Sequence, residues 1–428
     1  VWDYLTYRYV PEPDTMWEGI KKLPPAHSLE FDLNAWELKT YKYWEIPYIP
    51  YGELKETKSE SDYLEEFGTL FEDSVSLHLQ ADVPVGVLLS GGLDSSAVLA
   101  AISRIHNNQI YSFSVGYKDE DEFSELQYAR EMARHVGARN HEIVIGSEEF
   151  VDFLDDFVWY TDEPIADLAS IPLYYVSRLA ADHVKVVLSG EGADEILGGY
   201  DLEHVYRSFE RVKQYQRFPS WFRRYFLKYI AGSDVAVDYC DLPSSRTFHM
   251  TNIFSHEQKK ELFPKCPDFE NSLTLVKQYY DRVKKVHPLN QVLSVFSRSW
   301  LVEDLLMKAD KMTMANSIEL RVPFLDYRIV EWAAKAPVSM KIGMWDGDLV
   351  TKKVLRMYCK DTIPASILNR PKKGFPVPAY KWLNSELKGF ARDTLDRQSC
   401  VGDLFEKKQL DAVLEKGVAD GAEIMDRH

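Results

Sequence analysis

The chain has 428 residues, which is too long for one compact core and predicts two or three domains. Its net charge of −16 argues against binding to nucleic acid or to an anionic membrane through bulk charge. No apolar run approaches the roughly 18 residues of a membrane span, so no membrane partner is expected. The four cysteines are scattered, which favours a reducing, cytoplasmic location over a disulfide framework.

The first 58 residues show no obvious core of their own. They are rich in Pro, Tyr and Trp, and a strand-like stretch over 27–31 follows the turn signal Pro24-Pro25. We predict the end of an upstream domain, or a linker with a small sheet. A helix is expected over 61–78, with Ser61 as its cap, because apolar residues recur there at helical spacing.

From residue 85 onward, short apolar runs alternate with helical patterns. The predicted strands cover 85–89, 110–115, 141–145 and 184–188, and the predicted helices cover 95–105, 125–136, 171–181 and the surroundings of Glu195. This alternation predicts an α/β fold in which helices flank a parallel sheet. Such sheets bind ligands beyond the carboxyl ends of their strands.

Residues 205–290 break the alternation, and we predict a helical insertion there. The stretch 206–229 is aromatic and locally basic. A solvated helical face is favoured over a polyanion site, although the role of this stretch stays open. Residues 291–428 give the chain a mostly helical C-terminal part.

A first loop, residues 90–95, has the sequence Ser-Gly-Gly-Leu-Asp-Ser and joins a buried strand to a helix. Its glycines allow close approach to an anion, and the helix start offers free N–H donors. The loop lacks the Gly-Lys-Ser/Thr ending of a P-loop. A Gly-Gly turn is often only a tight connection, but the flanking serines and Asp94, which suits a magnesium ion, favour a phosphate site.

A second loop, residues 189–195, has the sequence Ser-Gly-Glu-Gly-Ala-Asp-Glu and again follows a buried strand. By itself it would be interpreted as a solvated acidic turn. Because two Ser-Gly loops end two parallel strands, we expect both to face one crevice.

These loops carry a family resemblance. The first matches the Ser-Gly-Gly-x-Asp-Ser signature of N-type ATP pyrophosphatases, which have an adenine nucleotide α-hydrolase-like fold. The second loop resembles the synthetase domain of glutamine-dependent asparagine synthetases, as do the stretches 310–315, 317–319, 321–326 and 370–375. The resemblance implies a synthetase (ATP pyrophosphatase) domain over 59–428. It also implies that residues 1–58 are the C-terminal remnant of a glutaminase domain with a linker.

The resemblance implies a carbon–nitrogen ligase that uses ATP and Mg²⁺. Aspartate would be activated as β-aspartyl-AMP with release of pyrophosphate, and ammonia, derived from glutamine in the full-length protein, would then displace AMP. Asp94 and Asp194 match the magnesium ligands, Glu191 matches the base, and Lys352 matches a lysine that contacts the phosphates and the acyl-adenylate. The remaining ATP-binding positions implied by the match are Leu89, Ser90, Gly91, Gly92, Ser95, Val115, Ser189 and Gly190.

Some residues are less certain on sequence alone. Without the resemblance, Lys352 and its neighbour would be expected on a solvated helix face. Lys308 and Asp304 are weaker candidates for the same pocket. For the stretch 321–326 we favour a structural interpretation, in which an ion pair fixes the proline-containing turn, over direct catalysis by Arg321 or Asp326.

Several alternatives stay open. The acceptor is aspartate or, as in asparagine synthetase-like amidotransferases, a sugar acid, a peptide or a β-amino acid. Ala169 stands where the family often has serine, which leaves the acceptor pocket less defined. A non-catalytic relative is disfavoured by the intact site, and a tRNA-modifying enzyme by the acidic charge. The family's glutaminase uses an N-terminal cysteine as its nucleophile, and this chain has no cysteine before Cys240, so we expect it not to hydrolyse glutamine. Both ends of the chain are expected to be trimmed. A homodimer is possible within the family.

Overall fold

The structure is a computed structural model that describes most of the chain. The described residues are 1–54, 58–106, 108–118, 122–200, 202–203, 205–207, 253–263, 269–370, 374, 377–397, 401 and 404–412.

A five-stranded parallel sheet forms the centre of the fold. After an N-terminal hairpin of β1 (His27–Asp32) and β2 (Glu37–Lys42), the sheet strands are β3 (Val85–Leu88), β4 (Tyr111–Tyr117), β5 (Arg139–Ile145), β6 (Val186–Leu188) and β7 (Glu319–Arg321). Their order is β5-β4-β3-β6-β7, and all four pairings are parallel. The predicted α/β fold with a parallel sheet is therefore confirmed. The sequence analysis missed β7, because a three-residue strand is too short to show a periodic pattern.

Helices cover both faces of this sheet and form most of the remaining chain. They are α1 (Tyr4–Tyr7), α2 (Glu60–His78), α3 (Leu93–Ile105), α4 (Leu126–Val136), α5 (Ser147–Asp152), α6 (Leu154–Thr161), α7 (Ser170–Ala181), α8 (Ala193–Leu197), α9 (His256–Leu262), α10 (Leu273–Arg282), α11 (Pro288–Arg298), α12 (Met307–Met314), α13 (Tyr327–Lys335), α14 (Val338–Lys341), α15 (Lys353–Cys359), α16 (Ala365–Leu368), α17 (Ala379–Asn384) and α18 (Lys388–Arg397). A π-helical turn (Leu301–Leu306) runs into α12, a 3₁₀ turn (Pro323–Leu325) precedes α13, and a small hairpin pairs β8 (Gly343–Trp345) with β9 (Asp348–Val350).

The predicted helix over 61–78 is confirmed as α2, but its cap is Ser59 and not Ser61. The Ser59 side chain accepts from the Asp62 backbone N–H, and the Asp62 carboxylate accepts from the Ser59 N–H. This reciprocal capping box needs an acid three residues after the cap, which Ser59 has and Ser61 does not.

Alternation along the strands places the core on both sides of the sheet. Val87 and Leu188 pack with α2, α3 and α4, whereas Val187 and Phe113 pack against α7. Successive side chains of a strand point to opposite faces, so a strand between two helical layers is apolar throughout. That requirement is why these runs were recognisable in the sequence.

The strand order reverses between β3 and β6. From β3 the chain proceeds to β4 and β5 on one side, and it later returns to place β6 on the other side. The loops that follow these two central strands therefore diverge at the carboxyl edge of the sheet, which is the usual ligand position in open α/β folds.

The N-terminal segment, defined here as residues 1–10, packs within the helical part of the chain. Trp2, Tyr7, Tyr9 and Val10 are all buried, and Tyr7 and Tyr9 pack with α10 and α11. The β1–β2 hairpin is largely exposed. The domain division at residue 58 stays a prediction.

Within the predicted insertion over 205–290, α9 and α10 are helical, and the aromatic, basic stretch lies almost entirely outside the described residues. Among the described helices, none combines the length and the apolar character that crossing a membrane requires.

Candidate functional site

The first loop leaves β3 and starts α3 without a side-chain cap. Gly92 occupies the cap position, so the first N–H groups of α3 have no side-chain acceptor. The Ser90 and Ser95 hydroxyls lie 3.1 Å apart, and Ser90 Oγ accepts from the Gly92 N–H at 3.2 Å. The loop thus presents backbone donors and two hydroxyls around a helix start, which is an anion-binding arrangement.

Gly91 is required by the shape of this loop. Its φ is +81°, and a Cβ there would lie 2.7 Å from Tyr128 Cβ and 2.8 Å from the Ala129 nitrogen. Arg370 holds the same region from outside, because its guanidinium pairs with Glu125 and lies 4.2 Å from the Tyr128 ring centroid. Arg370 belongs to the matched stretch 370–375, most of which lies outside the described residues.

The second loop packs directly against the first. A Cβ on Gly190 would lie 2.6 Å from the Ser95 nitrogen and 2.7 Å from the Asp94 carbonyl carbon. Gly192, at φ +90°, starts α8 against Leu325. The expectation that both loops face one crevice agrees with this contact.

Lys352 joins the two loops. Its Nζ donates to both carboxylate oxygens of Asp94 at 2.6 Å and lies 2.7 Å from Asp194 Oδ1. The side chain is buried, so the solvated-face interpretation does not hold for this lysine. Lys352 precedes α15 with φ 49°, in the left-handed region that costs a non-glycine residue about 1–3 kcal/mol. Strain of that kind is common at functional sites.

Space for this triad depends on Gly199. A Cβ there would lie 1.6 Å from Asp194 Oδ1 and 2.2 Å from Lys352 Cε. Gly199 is therefore explained by the close approach of two functional side chains, whereas Gly198 ends α8 in the left-handed region, at φ +73°.

The two aspartates suit a hard divalent cation. Both reach the same ammonium within 2.7 Å, so their oxygens are close enough to share one cation. The described residues contain no group of three or more His, Cys, Asp or Glu side chains that could hold a metal by themselves. Magnesium commonly uses one or two carboxylates and takes its remaining ligands from phosphates and water, so the donor set fits this ion.

The other predicted ATP-binding positions lie at the carboxyl ends of neighbouring strands. Leu89 is buried, and its backbone N–H and C=O bond Phe113 O at 2.8 Å and Ser114 Oγ at 2.7 Å. Ser189 bonds Arg321 O through its N–H at 3.0 Å, and its hydroxyl accepts from the Glu191 N–H at 3.3 Å. Val115 is half-buried near the end of β4.

Glu191 of the second loop belongs to a second polar region, with Lys308 and Asp167. Its Oε2 is buried and has no hydrogen-bond partner among the described residues. Burial raises the pKa of this carboxyl to about 7, while Lys308 opposes the shift and Asp167 adds to it. A carboxyl with this pKa can exchange a proton near neutral pH.

A charge cluster surrounds Glu191, and we define it as Asp167, Glu191, Asp304, Lys308 and Arg8. Lys308 forms an ion pair with Asp167. Asp304 lies on the π-helical turn and is fully buried, and neither of its carboxyl oxygens has a hydrogen-bond partner in the part of the chain that the structure describes. Burial and the neighbouring Asp167 raise its pKa. Burial lowers the pKa of Lys308, but the surrounding carboxylates outweigh burial and raise it.

Arg321 and Asp326 have structural partners, but not each other. Asp326 pairs with Arg328 at 2.6 Å and caps α13. Arg321 donates to Glu319 and to the backbone carbonyls of His78 and Gln80, which ties β7 to the end of α2. The ion pair expected within this stretch is therefore wrong, and the preference for a structural over a catalytic role stays a prediction.

Sequence reasoning missed two members of the charge cluster. Asp167 lies two residues before Ala169, in a stretch where the sequence shows no sign of an ion pair with Lys308. Arg8 lies 82 residues before Ser90, in the segment predicted to be the remnant of another domain. An arginine followed by aromatic and proline residues gives no signal of burial beside carboxylates.

Comparisons with known proteins find similarity along most of the chain. The asparagine synthase family profile matches residues 66–427. The chain is 35% identical over 429 aligned positions to asparagine synthetase (glutamine-hydrolyzing) 1 of Bacillus subtilis, covering 98% of the chain and 65% of that relative. A putative asparagine synthetase (glutamine-hydrolyzing) of Mycobacterium tuberculosis is 36% identical, covering 89% of the chain and 58% of the relative. Amidase chry2 of Gibberella zeae is 25% identical, covering 86% of the chain and 60% of that relative. The chain thus spans less than two thirds of the length of these relatives.

Proposed function

The chain belongs to the asparagine synthase family, and on that premise we propose that its site activates aspartate with ATP and converts the acyl-adenylate to asparagine with ammonia. The convergence of Asp94 and Asp194 on the Lys352 ammonium, between two loops at the switch point of the sheet, carries this proposal. It is an arrangement for handling the phosphates of a nucleotide.

In the first half-reaction, the side-chain carboxylate of aspartate attacks the α-phosphorus of ATP and pyrophosphate leaves. The N–H groups at the start of α3 and the hydroxyls of Ser90 and Ser95 would hold phosphate oxygens, because they are donors without competing side-chain caps. Lys352 would offset the charge that develops on the leaving group. Asp94 and Asp194 would hold a magnesium ion, which neutralises phosphate charge when bound.

In the second half-reaction, ammonia attacks the acyl carbon and AMP leaves. The adduct carries an extra proton that must be removed before the amide is complete. Glu191 is the proposed base, because its buried carboxyl has a pKa of about 7 and an oxygen without a partner. At neutral pH a substantial fraction of this group is ionised and able to accept the proton.

Aspartate is favoured over other carboxylates because the relatives named asparagine synthetases are more similar to this chain than the amidase is. Ammonia derived from glutamine is proposed for the longer protein. A homodimer and a cytoplasmic location stay predictions.

The proposal is tested by aspartate-dependent exchange of radioactive pyrophosphate into ATP. Wild-type protein with magnesium should show exchange, and Asp94→Asn should lose about 100-fold or more of it. Asp73→Asn is the matched control, because Asp73 is an exposed aspartate paired with Arg328 on the protein surface. Wild-type protein without aspartate-dependent exchange would overturn the proposal, and exchange with another carboxylic acid in its place would redirect it to that acceptor.

A further inference from the structure

The N-terminal segment lies outside the region that matches the family profile, yet it is built into the helical core. Lys259 Nζ donates to Trp2 O at 3.0 Å and to Thr6 Oγ1 and Ser272 Oγ at 2.6 Å. Tyr7 and Tyr9 stack on each other and are buried. A segment held this firmly can place a side chain with precision.

Arg8 is the charged side chain that this segment carries into the charge cluster. It ends α1 in the left-handed region, at φ 68°, and its carbonyl accepts from the Ala166 N–H at 2.9 Å. The guanidinium carbon lies 4.8 Å from the Trp300 ring centroid, and the buried Nε donates no hydrogen bond within the described residues. Trp300 directly precedes the π-helical turn that carries Asp304.

The cluster therefore holds a guanidinium and a carboxyl group that do not satisfy each other. Among the described residues, neither oxygen of the buried Asp304 carboxyl has a hydrogen-bond partner, and the buried Arg8 Nε has no acceptor. Buried polar groups are normally hydrogen-bonded, so two unsatisfied groups in the charge cluster suggest that a ligand supplies the missing hydrogen bonds. A ligand that carries both an ammonium and a carboxylate would satisfy both groups.

Arg8 and Glu191 enter the cluster from different parts of the chain, the N-terminal segment and the second loop. The charge of Arg8 acts on Asp167 and Asp304, whereas the charges acting on Glu191 come from Lys308 and Asp167. Because Glu191 is the proposed base at the reacting carboxyl, Arg8 is the cation left to bind a second carboxylate of the acceptor.

We propose that Arg8 is a specificity-determining residue that binds the carboxylate of the acceptor that is not activated, while Asp304 binds the acceptor's ammonium. This inference rests on the proposed function and deepens it. The acceptor is recognised as an α-amino acid, through a residue that lies before the family profile match begins at residue 66. Lys308, which is ion-paired with Asp167, belongs to the same charge cluster.

The test separates acceptor binding from ATP binding. Arg8→Gln should raise the KM for aspartate about tenfold or more and leave the KM for ATP within about twofold, since a charge-assisted contact to the acceptor is lost. Arg8→Lys should restore part of the loss. Arg104→Gln is the matched control, because Arg104 also lies over an aromatic ring, Tyr358, but near the end of α3 remote from the loops.

Two inhibitors identify the group that Arg8 binds. Succinate has both carboxylates of aspartate without the ammonium, and β-alanine has the ammonium without the α-carboxylate. Arg8→Gln should weaken inhibition by succinate and not by β-alanine, whereas Asp304→Asn should do the reverse. A purely structural role would weaken both inhibitors and ATP together.

The inference fails if wild-type protein carries out aspartate-dependent exchange and Arg8→Gln leaves the KM for aspartate unchanged, or if succinate does not inhibit the wild type. Absence of exchange in the wild type is a different result, because it removes the proposed function itself. If the melting temperature shows that Arg8→Gln is unfolded, Arg8→Lys becomes the test variant. It should raise the KM for aspartate and leave the KM for ATP unchanged. An unchanged KM for aspartate in a folded Arg8→Lys would then contradict the inference.

Discussion

The phosphate side of the site and the charge cluster neutralise their carboxylates in different ways. On the phosphate side, one buried ammonium, that of Lys352, contacts both Asp94 and Asp194 at 2.6–2.7 Å. In the charge cluster, Lys308 pairs with Asp167, while the buried Asp304 oxygens find no hydrogen-bond partner among the described residues. In the first region a protein cation contacts both carboxylates, whereas in the second Asp304 gains a partner only when a proton or a ligand arrives.

This difference shows which step each region serves. An ion-paired triad holds its side chains in place before the nucleotide binds, which suits transition-state stabilisation by preorganised charges. A buried carboxyl without a partner favours the protonated form, or a cationic ligand, and is costly otherwise. Such a group suits selection of an acceptor and transfer of a proton.

The largest effect is expected from crowding the phosphate side. Gly199→Ala would place a methyl group within 2.2 Å of Lys352 Cε and even closer to the Asp194 carboxylate, so one of the two must move. We expect pyrophosphate exchange to fall about 1,000-fold, because displacement of catalytic groups by about 1 Å already costs about 100-fold.

Gly389→Ala is the control for this substitution. A Cβ on Gly389 meets nothing within 4 Å, and the residue lies within α18, where alanine favours the helix. Full exchange activity in Gly199→Ala would contradict the crowding argument.

A smaller effect, confined to one half-reaction, is expected from Glu191→Gln. Pyrophosphate exchange should stay within a few-fold of wild type, and asparagine formation from ammonia should fall about 100-fold, since a general base contributes about 10²–10⁴. The two rates are measured on the same samples. Equal loss of both rates would mean that Glu191 serves activation rather than amide formation.

The same residue predicts a pH dependence. Burial raises the pKa of Glu191 to about 7, so the ionised base becomes more abundant as pH rises through 7. The wild-type rate of amide formation, corrected for the fraction of free ammonia, should rise through this pH, and in Glu191→Gln the rise should disappear. A corrected profile that is flat in the wild type would argue against the base.

The smallest effect is a change in stability. Burial raises the pKa of Asp304, so the folded state retains a proton that the unfolded chain releases as pH rises above about 4. Wild-type protein therefore loses stability with rising pH at this group, whereas Asp304→Asn does not titrate. The variant should gain about 1–3 kcal/mol relative to wild type between pH 5 and pH 8.

Urea unfolding at the two pH values measures this gain, with Asp310→Asn as the control at an exposed position shortly after Asp304. A constant difference between Asp304→Asn and wild type at both pH values would show that Asp304 is ionised in the folded protein.

The two regions also differ in how far sequence predicts them. The first loop and Asp194 follow buried strands. The motif residues therefore lie within about ten residues of the strand pattern that indicates where they are in the fold. Lys352 was placed only by the family resemblance, because the sequence around it gives no sign that its helix start adopts a left-handed conformation. Its burial is a consequence of tertiary packing.

The charge cluster is assembled from residues that are distant in sequence. Arg8, Asp167 and Asp304 come from three separate parts of the chain, and no local pattern indicates that they meet. The same limit explains β7, whose three residues form a strand only by pairing with β6. It also explains the cap of α2, because either of two serines could cap the helix and the position of Asp62 selects Ser59. Local patterns predicted the elements, and long-range contacts decided the site.

The central claim is that the Lys352 ammonium, shared by two carboxylates, serves activation of the acceptor by ATP. Lys352 and Lys353 are adjacent, both buried and both ion-paired, but Lys353 pairs with Glu60 of α2. Aspartate-dependent pyrophosphate exchange should fall about 100-fold or more in Lys352→Met and stay within a few-fold of wild type in a folded Lys353→Met. Equal activity of the two variants would contradict the account.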